Sequence, residues 1–436
     1  MTNRIKAGLG MLREKGAFHI LSGNFATKFV TMFGSIFLTR LLTKEDMGLL
    51  TYMENLAGYA IIFAGLGMAN VMLRYGVLSK SKEDHYGIYT FVLRSGLAAD
   101  VTLALLFILI NAFYPHKAVY ETAARLLPLY ILYVPFQDIV NNVQMNERAS
   151  FNNRRFAFIS VLSAAAMVAA RMAGAFWGGL TGVVIGLVLI QVLTAVVLLW
   201  DTKRHYFRHM RPKMPDRATK KSATIYAVQY MITNGLWGIF MLMDIFLIAN
   251  LLGNPATIAD YKIAYTIPAN MAIFSGAIGV FVTPYFVKHE EEPGWVSGNY
   301  LKTLAATALL LLAVSGGLII FTKPIIWIFG EQYYNVIPLM RMITLACFVE
   351  NVFRFPTANI LAAIGMVKVN MIVSAIGFGI KIILNLLFIP TYGIYSVPII
   401  SIVVQALMGL GVFLVFNKRY DVTGYVMRKW KRKRRP

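Results

Sequence analysis

The sequence predicts an all-α polytopic membrane protein of about twelve transmembrane helices, arranged as two six-helix lobes, on three observations. The first is composition: 58% of residues are hydrophobic and only 14% charged, with a mean hydropathy of +0.63. A soluble chain of this length would fold as two or three domains and would carry far more charge. The second is the polar run Asp201–Ser222, with eight Lys/Arg against two Asp, which divides the chain into two mostly apolar stretches. The third is the distribution of basic residues between alternate loops.

A hydrocarbon core of roughly 30 Å takes about 20 apolar residues per helix. Apolar runs of that length fall near 18–41, 47–75, 86–113, 121–145, 155–178 and 180–200. The second stretch repeats the count near 223–251, 257–287, 297–321, 335–363, 369–389 and 393–416. The expected organisation is an N-terminal lobe over 1–200, a basic inter-lobe loop over 201–222, a C-terminal lobe over 223–416 and a basic tail over 417–436. Loops on one side then hold 28 Lys/Arg, and those on the other hold only Lys44, Lys117 and Lys323. Short loops rich in Lys and Arg stay on the cytoplasmic side, so both termini are placed there.

An even number of spans per lobe gives the lobes one orientation, so any relation between them is a parallel repeat. Leu41-Leu42, a short loop, Gly48, and a helix with Gly65 and Gly67 ending in Arg74-Tyr75 make one unit. Leu251-Leu252, a short loop, Ala259-Asp260-Tyr261, and a helix with Gly276 and Gly279 ending in Pro284-Tyr285 make its counterpart.

The formal charge of +22 sits mainly in short loops and in the terminal run Arg428–Arg435, RKWKRKRR. That placement points to anionic membrane phospholipid, not nucleic acid, as its partner. The lone Cys347 excludes an intrachain disulfide. Met1–Gly16 is basic and the apolar run after it is span-length, so no cleavable leader is expected.

Polar side chains at bilayer depth are costly and face a cavity or one another. Asn24, Thr27, Lys28, Thr31 and Ser35 share one narrow stripe of the first span, with Lys28 about ten residues in. The fourth span carries Tyr130, Tyr133, Gln137, Asn141 and Gln144. The seventh carries Gln229, Thr233, Trp237 and Asp244, and the eleventh Asn370, Ser374, Gly377, Lys381 and Asn385. The deep cations are Lys28, Arg94, Arg171, Arg341, Arg354 and Lys381, and as a set they suit an anion such as phosphate. The buried acids are Glu54, Asp100, Asp138, Asp244 and Glu350; Asp138 and Asp244 are candidates for ion coupling. Glu350 and Arg354, four apart on one helix, are placed to pair, whereas Arg94 and Asp100 point to different faces.

Pro128, Pro135, Pro268, Pro338 and Pro356 interrupt spans, each removing a backbone donor. Enzyme chemistry finds no support. The six histidines fall in loops or at span ends, no metalloprotease, hydrolase or P-loop motif occurs, and no cofactor is expected.

The stretch Leu21–Gly48 (LSGNFATKFVTMFGSIFLTRLLTKEDMG) resembles the opening of the bacterial polysaccharide (Wzx-type) flippases of the multidrug/oligosaccharidyl-lipid/polysaccharide (MOP) superfamily. Pro324–Leu339 is similar to that family's link from span nine to span ten, and Leu361–Asn385 with Phe388–Ile394 to its eleventh span and following turn. The resemblance implies a MATE-like pair of lobes around a central cavity that opens to each face in turn. It also implies a bacterial cytoplasmic-membrane location and a polyprenyl-pyrophosphate-linked oligosaccharide moved from inner to outer leaflet. A cationic cavity lined by Asn24, Thr31, Gln137, Asn141, Gln229 and Asn385 would receive the pyrophosphate, and Lys28 falls where such flippases carry a functional cation. Polysaccharide polymerase or assembly proteins are the partners this implies. A multidrug cation antiporter of the same superfamily is the alternative, and its cavity would be dominated by carboxylates such as Asp138 and Asp244.

Overall fold

The computed structural model describes residues 17–433, and the side chains of 17–21, 233, 234, 236, 432 and 433 are outside that description. The expectations placed on Met1–Gly16, on the Thr233 side chain and on the basic run from Arg432 onward therefore lie outside the described residues. Among those residues the chain is helical throughout, with no strand.

The helices are α1 (Ala17–Leu41), α2 (Lys44–Phe63), α3 (Met68–Val77), α4 (Lys82–Phe113), α5 (Glu121–Ile131), α6 (Tyr133–Ala149), α7 (Asn153–Tyr206) and α8 (Arg217–Leu252). There follow α9 (Pro255–Thr266), α10 (Ala272–Lys288), α11 (Pro293–Ile320), α12 (Thr322–Phe329), α13 (Ile337–Val349), α14 (Phe355–Ala363), α15 (Val367–Tyr392), α16 (Ser396–Tyr420) and α17 (Val422–Lys433). Among the described residues, eight helical segments are long and apolar enough to cross a membrane, and α8, bent by 40° between Ile232 and Trp237, makes a ninth. Their outward faces are apolar, as a lipid solvent requires: Phe113 and Trp177 are each 81% exposed.

Two of the eight are 54-residue segments, α7 and the continuous run Val367–Tyr420. A straight helix of that length would reach about 80 Å, well over twice the hydrocarbon core. Both fold back instead. In α7 the turn is at Gly178 and Gly179, where Gly179 adopts φ 54° and ψ −139°, a conformation reserved for glycine. Beyond it Gly174 lies against Gly182 and Gly186 against Ala170, so closely that a Cβ on Gly174 would lie 2.1 Å from the Gly182 carbonyl. In the other segment the turn is at Gly393 (φ 63°), and Gly377 packs on Met408 and Gly411 on Val373. Each is a tight helical hairpin whose limbs approach through small residues. The first limb of α7 also seats α1, Gly23 against Ala157 and Gly34 against Val168. The equal steps along both helices mean that they run parallel.

The contacts divide the chain into two compact units at Phe246/Leu247. That point lies within α8, whereas the sequence places the division in the basic loop. The loop is fastened to the first unit. The Lys213 backbone N–H donates to the Glu83 carbonyl at 3.0 Å, the Lys213 ammonium pairs with Asp84 at 3.0 Å, and Phe207 stacks on Tyr86 with ring centres 4.3 Å apart. The start of α8 then buries Ala223 and Ala227 with Met68, Val71, Met72, Ile88, Tyr89 and Val92. At the head of α8 the Asp216 carboxylate accepts the Thr219 N–H at 2.9 Å, and hydrogen bonds from the Thr219 hydroxyl and N–H hold this exposed carboxyl below its usual range.

The second unit has a matching core of Phe286, Val296, Tyr300, Ile360, Leu361, Val412, Phe416, Tyr420 and Val422. Its elements follow the order of the first: a broken span (α9–α10), a long helix (α11), an interrupted span (α13–α14) and a hairpin (α15–α16).

Candidate functional site

The polar groups of the first unit gather at the interruption between α2 and α3. α2 and α3 are separated by Ala64–Gly67, where Gly65 (φ 57°), Leu66 (φ 48°) and Gly67 (φ 78°) are all left-handed. Two glycines allow this at little cost; Leu66 has no such latitude, because its Cβ crowds the following carbonyl. Turning the chain here exposes the Gly65 N–H, which donates to Asp100 Oδ1 on α4 at 2.6 Å. The Asp138 carboxyl, from α6, lies against the same glycine and against Gly96: a Cβ on Gly65 would stand 2.6 Å from Asp138 Oδ2. Asn142, one turn on from Asp138, donates to Asp138 Oδ2 at 2.9 Å. Asp100 and Asp138 are 0% and 4% exposed.

A second chain of polar contacts lies alongside. The Tyr133 hydroxyl and the Gln191 amide both donate to Gln137 Oε1, at 2.8 and 2.9 Å, and the Gln137 amide reaches Asn141 Oδ1 at 3.3 Å. Arg171 donates to Glu54 at 2.5 Å, each about three-quarters buried.

Each predicted cation has a distinct setting. Lys28 is exposed on α1, on the strip shared by Asn24 and Thr31 and bordered by half-buried Ser35. The same helix turns Phe25, Phe29, Phe33 and Phe37 outward on one other face and packs Gly23 and Gly34 on α7 with the third. No ion pair engages Lys28 among the described residues. Arg94 is also exposed, but on the face of α4 that carries Leu97, Val101 and Leu105; that setting suits a lipid headgroup. Arg341 stands on a narrow exposed strip with Pro338 and Leu345, on a helix otherwise buried on Leu339, Met340, Ile343 and Ala346.

Two cations expected in a binding cavity are enclosed within the second unit. Arg354 is 7% exposed and contacts Glu350 (3.4 Å), Gln405 (3.2 Å) and Ser374 (3.0 Å). The Glu350–Arg354 pair expected from their spacing therefore forms, across a single π-helical turn, Glu350–Arg354, ahead of Pro356. A wider turn of this kind is a common way for a helix to re-aim side chains. Lys381 is 6% exposed and Asn385 wholly buried on α15. The geometry thus separates Lys28, Arg94 and Arg341, which are accessible, from Arg171 and Arg354, which are neutralised within their own unit. Gln229 is exposed on α8, and Asp244, half-buried, lies near the Tyr59 phenol.

Sequence reasoning missed Asn142, Gln191 and Gln405. The signal for Asn142 was present: Asp138, Asn142 and Asn146 stand at i, i+4 and i+8, one position along from the Gln137–Asn141 stripe. Gln191 and Gln405 lie singly on apolar helices and carried none.

The comparisons with known proteins agree with this architecture. No curated protein sequence matches the chain. Among solved structures, the chain is similar to the lipid II flippase MurJ in an inward closed conformation, with a TM-score of 0.71 and 14% identity over 94% of this chain and 90% of that one. It is also similar to an inward-facing multidrug resistance MATE family transporter of the MOP superfamily, with a TM-score of 0.66 and 15% identity over 92% and 96% of the two chains. A MOP superfamily transporter from Pyrococcus furiosus, described as having a binding pocket of reverse polarity, matches with a TM-score of 0.60 and 15% identity over 94% and 95%. At such identities these likenesses establish the fold. The family model described as "Polysaccharide biosynthesis protein" matches residues 37–338, well over half of the chain. The chain is therefore a multi-pass membrane protein with the MOP superfamily fold, and it belongs to the polysaccharide biosynthesis protein family.

Proposed function

We propose that this protein is a flippase that moves a polyprenyl-pyrophosphate-linked oligosaccharide from the inner to the outer leaflet of the bacterial cytoplasmic membrane, by alternating access. The observation that carries the proposal is Lys28: an exposed cation with no ion-pair partner, on a polar strip of a helix whose other faces are aromatic and packed. A cation with no counter-charge within a bilayer is expensive unless an anion visits it, and a diphosphate is an anion of the right kind. Arg341 is a second accessible cation, on the narrow exposed strip of α13. Asn24, Thr31, Gln137, Asn141 and Gln229 supply amide and hydroxyl groups of the sort that bind sugar hydroxyls, while Arg354, Lys381 and Asn385 serve to hold the second unit together. Family membership supports the biosynthetic context. The net positive charge of the accessible set favours this reading over a cation antiporter, whose site would be acidic.

In this reading the basic loops and the helix α17 face the cytoplasm, as the bias of Lys and Arg requires. There they meet anionic phospholipid: Val426, Met427 and Trp430 are exposed beside Arg428, Lys429 and Lys431. Polysaccharide polymerase or assembly proteins are its expected partners.

The test is lipid analysis of a deletion strain complemented with wild-type or Lys28→Ala protein. The proposal expects prenyl-linked oligosaccharide to accumulate on the cytoplasmic side and surface polysaccharide to fall, with rescue by wild type and not by the variant. Unchanged polysaccharide together with new sensitivity to cationic dyes would favour the antiporter.

A further inference from the structure

The two acids at the break in the second span have no counter-charge. Neither Asp100 nor Asp138 forms an ion pair among the described residues. The groups that face the two carboxyls are Gly65, Gly96, Asn142 and one another. Arg94, on the same helix as Asp100, points away to the exposed face.

The hydrogen-bond inventory is also incomplete. Gly65 N–H satisfies Asp100 Oδ1 and the Asn142 amide satisfies Asp138 Oδ2, yet Asp100 Oδ2 and Asn142 Oδ1 are enclosed with no partner. Asp100 and Asn142 are both 0% exposed, so water at the surface does not make up the deficit. Two adjacent carboxylates in a medium of low dielectric repel each other and each loses its hydration. A single positive charge between them removes both penalties. A proton would let one carboxyl donate to the other; an alkali ion would take the free carboxylate oxygen together with the Asn142 carbonyl.

We propose that Asp100 and Asp138, with Asn142, hold one small cation, a proton or an alkali ion, against the interruption of the second span. Loading of this site is felt directly by the backbone, because the Gly65 N–H that defines the break is bound to Asp100. That the cation is exchanged during transport rests on the transporter reading above; that it binds does not.

The experiment is thermal unfolding of the purified full-length protein from roughly pH 5 to about pH 9, in choline, sodium and lithium chloride at one ionic strength. Wild type, Asp100→Asn and Asp138→Asn are compared. Asn removes one negative charge and keeps the shape, so each variant no longer needs the cation. If a proton is held, the wild-type midpoint falls as pH rises and is blind to the salt. If an alkali ion is held, sodium or lithium restores at high pH what choline does not, saturably. In either case both variants flatten the response and match or exceed wild-type stability at high pH in choline. A wild-type midpoint indifferent to pH and to alkali ion, or Asn variants that keep the full wild-type response, would overturn the site. Should reconstituted wild-type protein fail to flip lipid while this response persists and the variants abolish it, the functional reading falls and the site stands.

Discussion

In the first unit the segment Lys44–Val77 is broken by three consecutive left-handed residues, Gly65–Gly67, whereas its counterpart in the second unit is broken by Pro268 at the head of a short 3₁₀ turn, Pro268–Met271. The two breaks interrupt similarly built segments, Lys44–Val77 and Pro255–Lys288, each 34 residues long, past the midpoint in the first and before it in the second. Their chemistry differs. The glycine break turns an N–H inward, and two acids gather on it. Proline has no N–H to offer, and the buried polar centre of the second unit forms elsewhere, at the π-helical turn around Arg354. The lesson is that the manner in which a helix is interrupted decides which charge can settle beside it. A freed backbone donor attracts carboxylates, and without one the cation and its acid come from side chains alone.

The comparison is broken most severely at Gly65. Gly65→Ala forces a Cβ to within 2.6 Å of the Asp138 carboxyl at a φ of 57°, which should cost about 3 kcal/mol or more and sharply reduce folded protein in membranes. The control is Gly276→Ala in α10, where no atom lies within 4 Å of the new Cβ; it should leave the unfolding midpoint unchanged or raise it slightly. Next comes Glu350→Gln, which strands the enclosed Arg354 and should destabilise by about 3 kcal/mol. The double change Glu350→Gln with Arg354→Met should recover much of that loss in thermal unfolding. Ser374→Ala removes the hydrogen bond from Arg354 Nη2 at 3.0 Å and should cost about 1.5 kcal/mol. The smallest effect compares two equivalent helix starts. Thr43 accepts the Asp46 N–H at 3.1 Å, and Asn254 accepts the Thr257 N–H at 3.4 Å. Thr43→Ala should cost about 1 kcal/mol, and Asn254→Ala less.

Much of the fold was legible because the bilayer imposes a simple rule on span length. The tight turns at Gly178–Gly179 and Gly393 fall at the expected span limits near 178–180 and 389–393, and all five prolines singled out lie at or within a few residues of a helix interruption. The loop Asp201–Ser222 reads as a divider by composition. Its aromatic Phe207 and the Lys213 backbone fasten it to the first unit, a contact between distant segments that no local pattern announces. The same limit applies to the site. Periodicity found the strip of Asn24, Lys28 and Thr31 and the Glu350–Arg354 pair, because both are matters of one helix. It could not bring Asp100 and Asp138 together, since their meeting depends on how α4 and α6 pack around Gly65. Nor could it separate Lys28 from Arg354, which differ in burial and not in spacing.

On the proposed function, Lys28 lies on the path of an anionic lipid headgroup. That placement is tested most directly by reconstituting the protein in vesicles with a prenyl-pyrophosphate-linked oligosaccharide and following the glycan's accessibility from each leaflet. Translocation is expected from wild type, with retention in Lys28→Arg and loss in Lys28→Ala at unchanged thermal stability. Translocation by Lys28→Ala at the wild-type rate, or none by wild type above protein-free vesicles, would contradict it.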